Sequence, residues 1–197
     1  MTASKIAGTA ALFAAVLAGC SSTNAAPGGL DDLTVQAEHD MSGYDRSRFP
    51  HWSEDGACDT RETVLRQQGQ GVAVDNQCRA TSGQWVSAYD GVTVTRARDV
   101  DVDHVVPLAE AWRSGAHAWT TARRKAFAND LDGQLLAVAA KSNRSKGDKD
   151  PGKWQPARGF HCEYATRWVA VKSRYGLTVD KGERAALAGM LATCGKE

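Results

Sequence analysis

Asp101-Val102-Asp103-His104-Val105-Val106-Pro107 is the stretch on which the reading of this chain turns. It is a β-branched run, extended in character and stopped by proline, and it sets Asp103 directly beside His104. Neighbouring side chains on a strand point to opposite faces. A strand end or a bulge must therefore bring that pair to one site. Downstream, Gln134-Leu135-Leu136-Ala137-Val138 is a short apolar run consistent with a buried strand. The basic segment Lys141-Ser142-Asn143-Arg144-Ser145-Lys146-Gly147-Asp148-Lys149-Asp150-Pro151 follows, and its Asn143 offers an amide ligand.

Outward from this core, residues 59–68 read as a short helix capped by Asp59 or Thr60. Residues 84–89 and 92–95 alternate and are rich in β-formers, with Asp90-Gly91 between them as a two-residue hairpin turn. Residues 121–130 have helical character. A helix is expected over 161–175, ended by Gly176. Another is expected over 181–193, after the capping-box-like Asp180 and Glu183. The fold class is therefore α+β, with hairpin strands early and helices late. Trp85, Trp112, Trp119, Trp154 and Trp168 are expected mainly in the core. Asp101 is given a structural place, and His161 a packed or exposed one. His39, His51 and His117 have no motif around them.

The N-terminus carries one cation, Lys5, then 13 apolar or small residues from Ile6 to Ala18. A membrane span needs about 20, so residues 1–19 suit a signal peptide. Leu17-Ala18-Gly19-Cys20 resembles the lipobox of bacterial lipoproteins. The expectation is a lipidated Cys20 that anchors the chain to the membrane, facing the extracellular or periplasmic side. A flexible tether is expected over 20–40 and a single domain over 41–197. That use of Cys20 explains an otherwise odd count of five cysteines. The remaining Cys58, Cys78, Cys162 and Cys194 suggest two disulfides in an exported domain. Of three possible connectivities, the sequence-local Cys58–Cys78 and Cys162–Cys194 is favoured. No two of the four have the close spacing of a zinc site.

The formal net charge is +1, from 24 Lys+Arg and 23 Asp+Glu, which excludes a uniformly basic nucleic-acid coat. Charge is segregated, however. Residues 20–95 carry 11 acidic and 5 basic side chains, whereas residues 141–174 carry 3 acidic and 9 basic. A local basic surface can bind a polyanion on a neutral molecule.

DVDHVVP, QLLAV and NRSKGDKDP together resemble the HNH, or ββα-metal (His-Me finger), endonucleases. The likeness is nearest to exported bacterial proteins related to the nuclease domain of GmrSD-type restriction enzymes, and it runs over roughly residues 55–195. HNH domains of CRISPR effector nucleases have a similar core. The resemblance implies a ββα-metal core with an N-terminal β-hairpin region and C-terminal helices. It implies His104 as the general base that deprotonates the attacking water. It implies Asp103 and Asn143 as ligands of a divalent cation, Mg²⁺ or alternatively Mn²⁺, with the metal stabilising charge on the phosphate and the leaving oxygen. Arg144, Lys146 and Lys149 are candidate phosphate contacts. One departure is Gln134, where family members often have Asn.

These expectations describe a monomeric, lipid-anchored nuclease that hydrolyses DNA, or RNA, outside the cytoplasm. The rival expectation is a catalytically silent surface lipoprotein that keeps the scaffold and binds nucleic acid or an envelope partner. A zinc hydrolase is disfavoured, because no H-E-x-x-H spacing exists.

Overall fold

A computed structural model describes Met1 and residues 29–195. The signal-like stretch and Cys20 lie outside the described residues. Among the described residues the strands and α-helices follow one another as β1 (Glu54–Asp55), β2 (Cys58–Asp59), α1 (Thr60–Gln68), β3 (Gln70–Val74), β4 (Ala80–Val86), β5 (Thr93–Val94), β6 (Val100–His104), α2 (Leu108–Arg113), α3 (Thr121–Ala128), β7 (Leu135–Ala139), α4 (Ala140–Lys146), α5 (His161–Tyr175) and α6 (Lys181–Leu191). The class is α+β, as the sequence pattern indicates. None of the described helices is long and apolar enough to cross a membrane.

Local chemistry sets the element ends. Asp59 Oδ1 accepts from Glu62 N at 2.7 Å and starts α1. Asp180 and Glu183 close a reciprocal capping box on α6. Gly176 ends α5 with φ 59° and ψ 36°, left-handed values that suit glycine. The early hairpin departs from expectation. β4 and β5 pair as Trp85↔Val94 and Val86↔Thr93, and the link is closed by Ser87 N donating to Val92 O. The loop is therefore longer than a two-residue turn at Asp90-Gly91. The reason lies in the tertiary structure, because Tyr89 turns into the core, 2% exposed. β4 is also longer than expected at its start, and it pairs with β3 to make a three-stranded sheet. Trp85 of β4 donates its indole N–H to Leu65 O, and a Cβ at Gly69 would lie 2.5 Å from that indole nitrogen.

β6 and β7 form an antiparallel pair in unbroken register, Val100↔Ala139 through His104↔Leu135, and α4 follows β7 directly. The pair is covered on both faces. Val100, Val102, Leu135 and Ala137 pack with Val64, Leu65 and Trp85, while Leu136 and Val138 join the larger core of Phe127, Tyr164, Trp168 and Leu187. Such two-sided burial explains why β7 reads as a continuous apolar run rather than an alternating one. Disulfides Cys58–Cys78 and Cys162–Cys194 fasten β2 to the β3–β4 loop and the start of α5 to the end of α6. Trp85, Trp112 and Trp168 are buried, and Trp119 and Trp154 are partly buried against the core.

Two features modify the expected organisation. Residues from Leu30 onward are docked on the domain: Leu33 is buried, Val35 bridges Val179, and Gln36 N donates to Val179 O. The basic segment, moreover, is partly neutralised, mostly by carboxylates from outside it. Lys172 is fully buried between Glu110 (2.9 Å) and Glu183 (2.6 Å), Lys153 bridges Glu38 and Asp150, Arg167 pairs with Glu163, and Arg174 pairs with Asp130 and Asp132. Sequence charge counts cannot see such pairing.

Candidate active site

A cavity of about 260 Å³ opens at the end of β6, lined among others by Asp103, His104, Asn143 and Arg144. The alternation along β6 is intact. Asp101 and Asp103 meet α4, and Val102 packs on the other face. The strand end, not a bulge, therefore lets Asp103 and His104 share one site.

Gln134 builds the floor of the turn between these strands. Its backbone oxygen accepts from Val105 N at 2.7 Å, its Oε1 accepts from Val106 N at 3.0 Å, and its Nε2 donates to Val106 O at 2.8 Å. The side chain is fully buried. The longer amide thus ties down both polar groups of one backbone residue and holds the chain as it leaves His104.

His104 is 4% exposed. Its Nε2 lies 2.9 Å from Ala128 O. A carbonyl can only accept, so Nε2 carries the proton and Nδ1 is the nitrogen left to receive one. Burial lowers the imidazole pKa to about 3, partly opposed by the Ala128 hydrogen bond, with the Arg46, His51 and Lys146 charges adding to the depression. The ring is therefore neutral at pH 7. Trp52 stacks on it at 5.6 Å between centroids, and His51 meets it edge-on at 6.3 Å. Neither residue carries a sequence motif. Trp52 has a left-handed φ of 58°, which no local pattern announces.

Asp103 is 7% exposed, and its Oδ2 accepts from Tyr89 Oη at 2.5 Å and lies 2.7 Å from Lys146 Nζ. Burial pushes the Asp103 carboxyl up, and Lys146 pulls it back down. Burial likewise lowers Lys146. Lys146, expected at a phosphate, is instead fully buried and also donates to His104 O at 2.9 Å. Its burial follows from α4 packing this face against β6. Lys149 is exposed, donates to Ser145 O, and does not line the cavity. Asp101 Oδ2 accepts from Asn143 Nδ2 at 3.0 Å, which orients the amide.

Asp103 Oδ1 and Asn143 Oδ1 accept no hydrogen bond among the described residues. A carboxylate and an amide oxygen at one cavity, both uncommitted, form a hard, all-oxygen donor pair that fits Mg²⁺ or Mn²⁺ and leaves room for water and phosphate oxygens. A second carboxylate group, Glu38, Asp150 and Asp180, lies elsewhere, with Lys153 bound to two of its members.

Residues 62–190 match the family model of the GmrSD restriction endonucleases, C-terminal domain. An "Uncharacterized secreted protein" of Arthroderma benhamiae is 52% identical over 168 residues, covering 84% of this chain and 82% of that protein. No solved structure matches.

Proposed function

The chain belongs to the family of GmrSD restriction endonuclease C-terminal domains, and from that premise we propose that it is an HNH-type, metal-dependent endonuclease acting on DNA or RNA outside the cytoplasm. The observation that carries this reading is the convergence of His104, Asp103, Asn143 and Arg144 on one cavity at the end of the β6–β7–α4 unit. In this reading β6, β7 and α4 form the ββα-metal core. Asp103 and Asn143 hold the divalent cation through their uncommitted oxygens. When bound, the cation supplies positive charge to the phosphate and the leaving oxygen. His104, fixed by Ala128 O and Trp52, takes a proton from the attacking water at Nδ1. Arg144 contacts phosphate, and Lys146 positions Asp103 and the His104 backbone.

Export is supported by the two disulfides and by the similarity to a protein named as secreted. Lipid attachment at Cys20 rests on the lipobox-like residues 17–20. One observation favours a second reading. The Lys146 ammonium already neutralises Asp103, as in a scaffold that binds nucleic acid without cutting it.

The test is plasmid cleavage by residues 24–197 with Mg²⁺ or Mn²⁺, set against His104→Ala. Loss of cleavage in His104→Ala supports the nuclease. Equal activity in both proteins, or no activity in either across metals, refutes it. Calorimetry then asks whether divalent-cation binding depends on Asp103 and Asn143.

A further inference from the structure

Residues 44–52 precede the matched residues 62–190, and they form a strap over the cavity. The strap is built in. Phe49 is fully buried. Arg124 Nε donates to Arg48 O at 3.0 Å, and Asn129 Nδ2 donates to Pro50 O at 2.8 Å. Tyr44 packs edge-on against Trp112 at 5.8 Å, and Trp52 stacks on His104. Within the strap, Asp45 Oδ1 accepts from Ser47 N at 2.7 Å and starts a single 3-10 turn, Arg46–Arg48. That turn divides the two arginines. Arg48 lies over the Trp112 ring at 5.6 Å, whereas Arg46 lines the cavity with Asp103, His104, Asn143 and Arg144.

The charges around this cavity do not cancel. Asp103 is matched by Lys146 at 2.7 Å, and Asp148, the other carboxylate in the lining, is matched by Arg113 at 3.0 Å. The guanidinium groups of Arg46 and Arg144 have no hydrogen-bonding or ion-pair partner among the described residues. Two unpaired guanidinium groups, delivered from separate parts of the chain to one concave site, make a receptor for a tetrahedral oxyanion. Guanidinium is the side chain best suited to grip phosphate with two hydrogen bonds.

We propose that Arg46 is a phosphate-binding residue of this cavity and grips the nucleic-acid backbone together with Arg144. The identity of the anion as backbone phosphate rests on the nuclease reading; the unpaired charge does not. Arg46 lies in the acidic part of the sequence and before the matched residues, so neither charge counting nor motif likeness points to it.

The test uses the full chain with a fluorescein-labelled DNA duplex and a labelled single-stranded RNA. Anisotropy is read in EDTA over a series of NaCl concentrations, and cleavage is read with Mg²⁺ or Mn²⁺. Arg46→Gln is compared with Arg144→Gln, with Arg46→Lys, and with Arg184→Gln, which removes a cation of α6 paired to Asp31. Arg46→Gln and Arg144→Gln should each weaken binding of the preferred probe roughly tenfold and lower the slope of log Kd against log salt by about 1. Arg46→Lys should recover part of the affinity, and Arg184→Gln should change nothing. Because Arg46 is exposed and partnerless, its replacement leaves the fold intact, as the melting temperature will report. Cleavage by the wild type with unchanged affinity in Arg46→Gln overturns the Arg46 assignment and leaves the nuclease standing. An equal loss in Arg184→Gln overturns it too. Binding that needs Arg46 but never leads to cleavage supports the assignment and overturns the nuclease. A wild type that binds neither probe overturns both.

Discussion

Replacing Lys146 by Met should destabilise the protein by about 3–5 kcal/mol, the cost typical of leaving one charge of a buried pair without its partner. The structure gives the reasons. The Lys146 side chain is 0% exposed, its ammonium lies 2.7 Å from Asp103 Oδ2, and it also donates to His104 O. Methionine fills similar volume, so packing loss is small and the electrostatic loss dominates. Urea unfolding followed by tryptophan emission measures the effect. Two controls separate charge from packing. Asp103→Asn keeps an acceptor for Tyr89 while removing the charge, so the double variant should be destabilised by clearly less than the sum of the single changes. Burial already raises Asp103, and losing Lys146 raises it further. A carboxyl raised in the folded state contributes stability at low pH that is lost as pH rises. The gap between Lys146→Met and wild type should therefore narrow when the pH is lowered from neutral towards that of an ordinary carboxyl. A gap below about 0.5 kcal/mol at neutral pH, or strict additivity in the double variant, would refute a charge-bearing pair at this position.

Other expectations follow from the same geometry. Gln134→Ala strips both polar groups of buried Val106 of their partners and should cost about 2–4 kcal/mol, read by thermal unfolding; wild-type stability would show that the clamp is dispensable. Glu183 is raised from 4.5 to about 7 by burial, against the pull of Lys172. Its contribution is fully present below 4.5 and is lost as pH rises through about 7, a difference of about 3 kcal/mol. Glu183→Gln should flatten that part of the stability profile relative to wild type, and parallel profiles would contradict it. Replacing Cys162 and Cys194 with Ser opens a loop spanning 32 residues. The change should cost about 4 kcal/mol in the chain-entropy model, measured as a lower urea midpoint, and an unchanged midpoint would rule the model out here.

The local elements were legible in the sequence because their signals are local. Asp59, the Asp180–Glu183 box and Gly176 act on backbone groups within a few residues of themselves, so α1, α5 and α6 stand where the pattern puts them. The β4–β5 link departs from the two-residue turn that Asp90-Gly91 suggests because Tyr89 is drawn into the core to hydrogen-bond Asp103, a contact across 14 residues. The family resemblance implies a shared site for Asp103, His104 and Asn143, and the three line one cavity. The companions of His104 were not legible. Trp52 and His51 precede it by about 50 residues, and no short motif links them.

The sequence by itself determined the α+β class and the main helices, and it favoured, among three connectivities, the disulfide pairing that the structure holds. Backbone capping, apolar periodicity and chain proximity act over short separations and leave their mark in residue order. Only the tertiary structure decided which charges remain free. Lys146, Lys153 and Lys172 look like parts of a basic surface, yet each meets carboxylates from distant segments. Arg46, from the acidic part of the chain, meets none among the described residues. Coulombic pairing depends on distance in space and on burial, and residue order records neither.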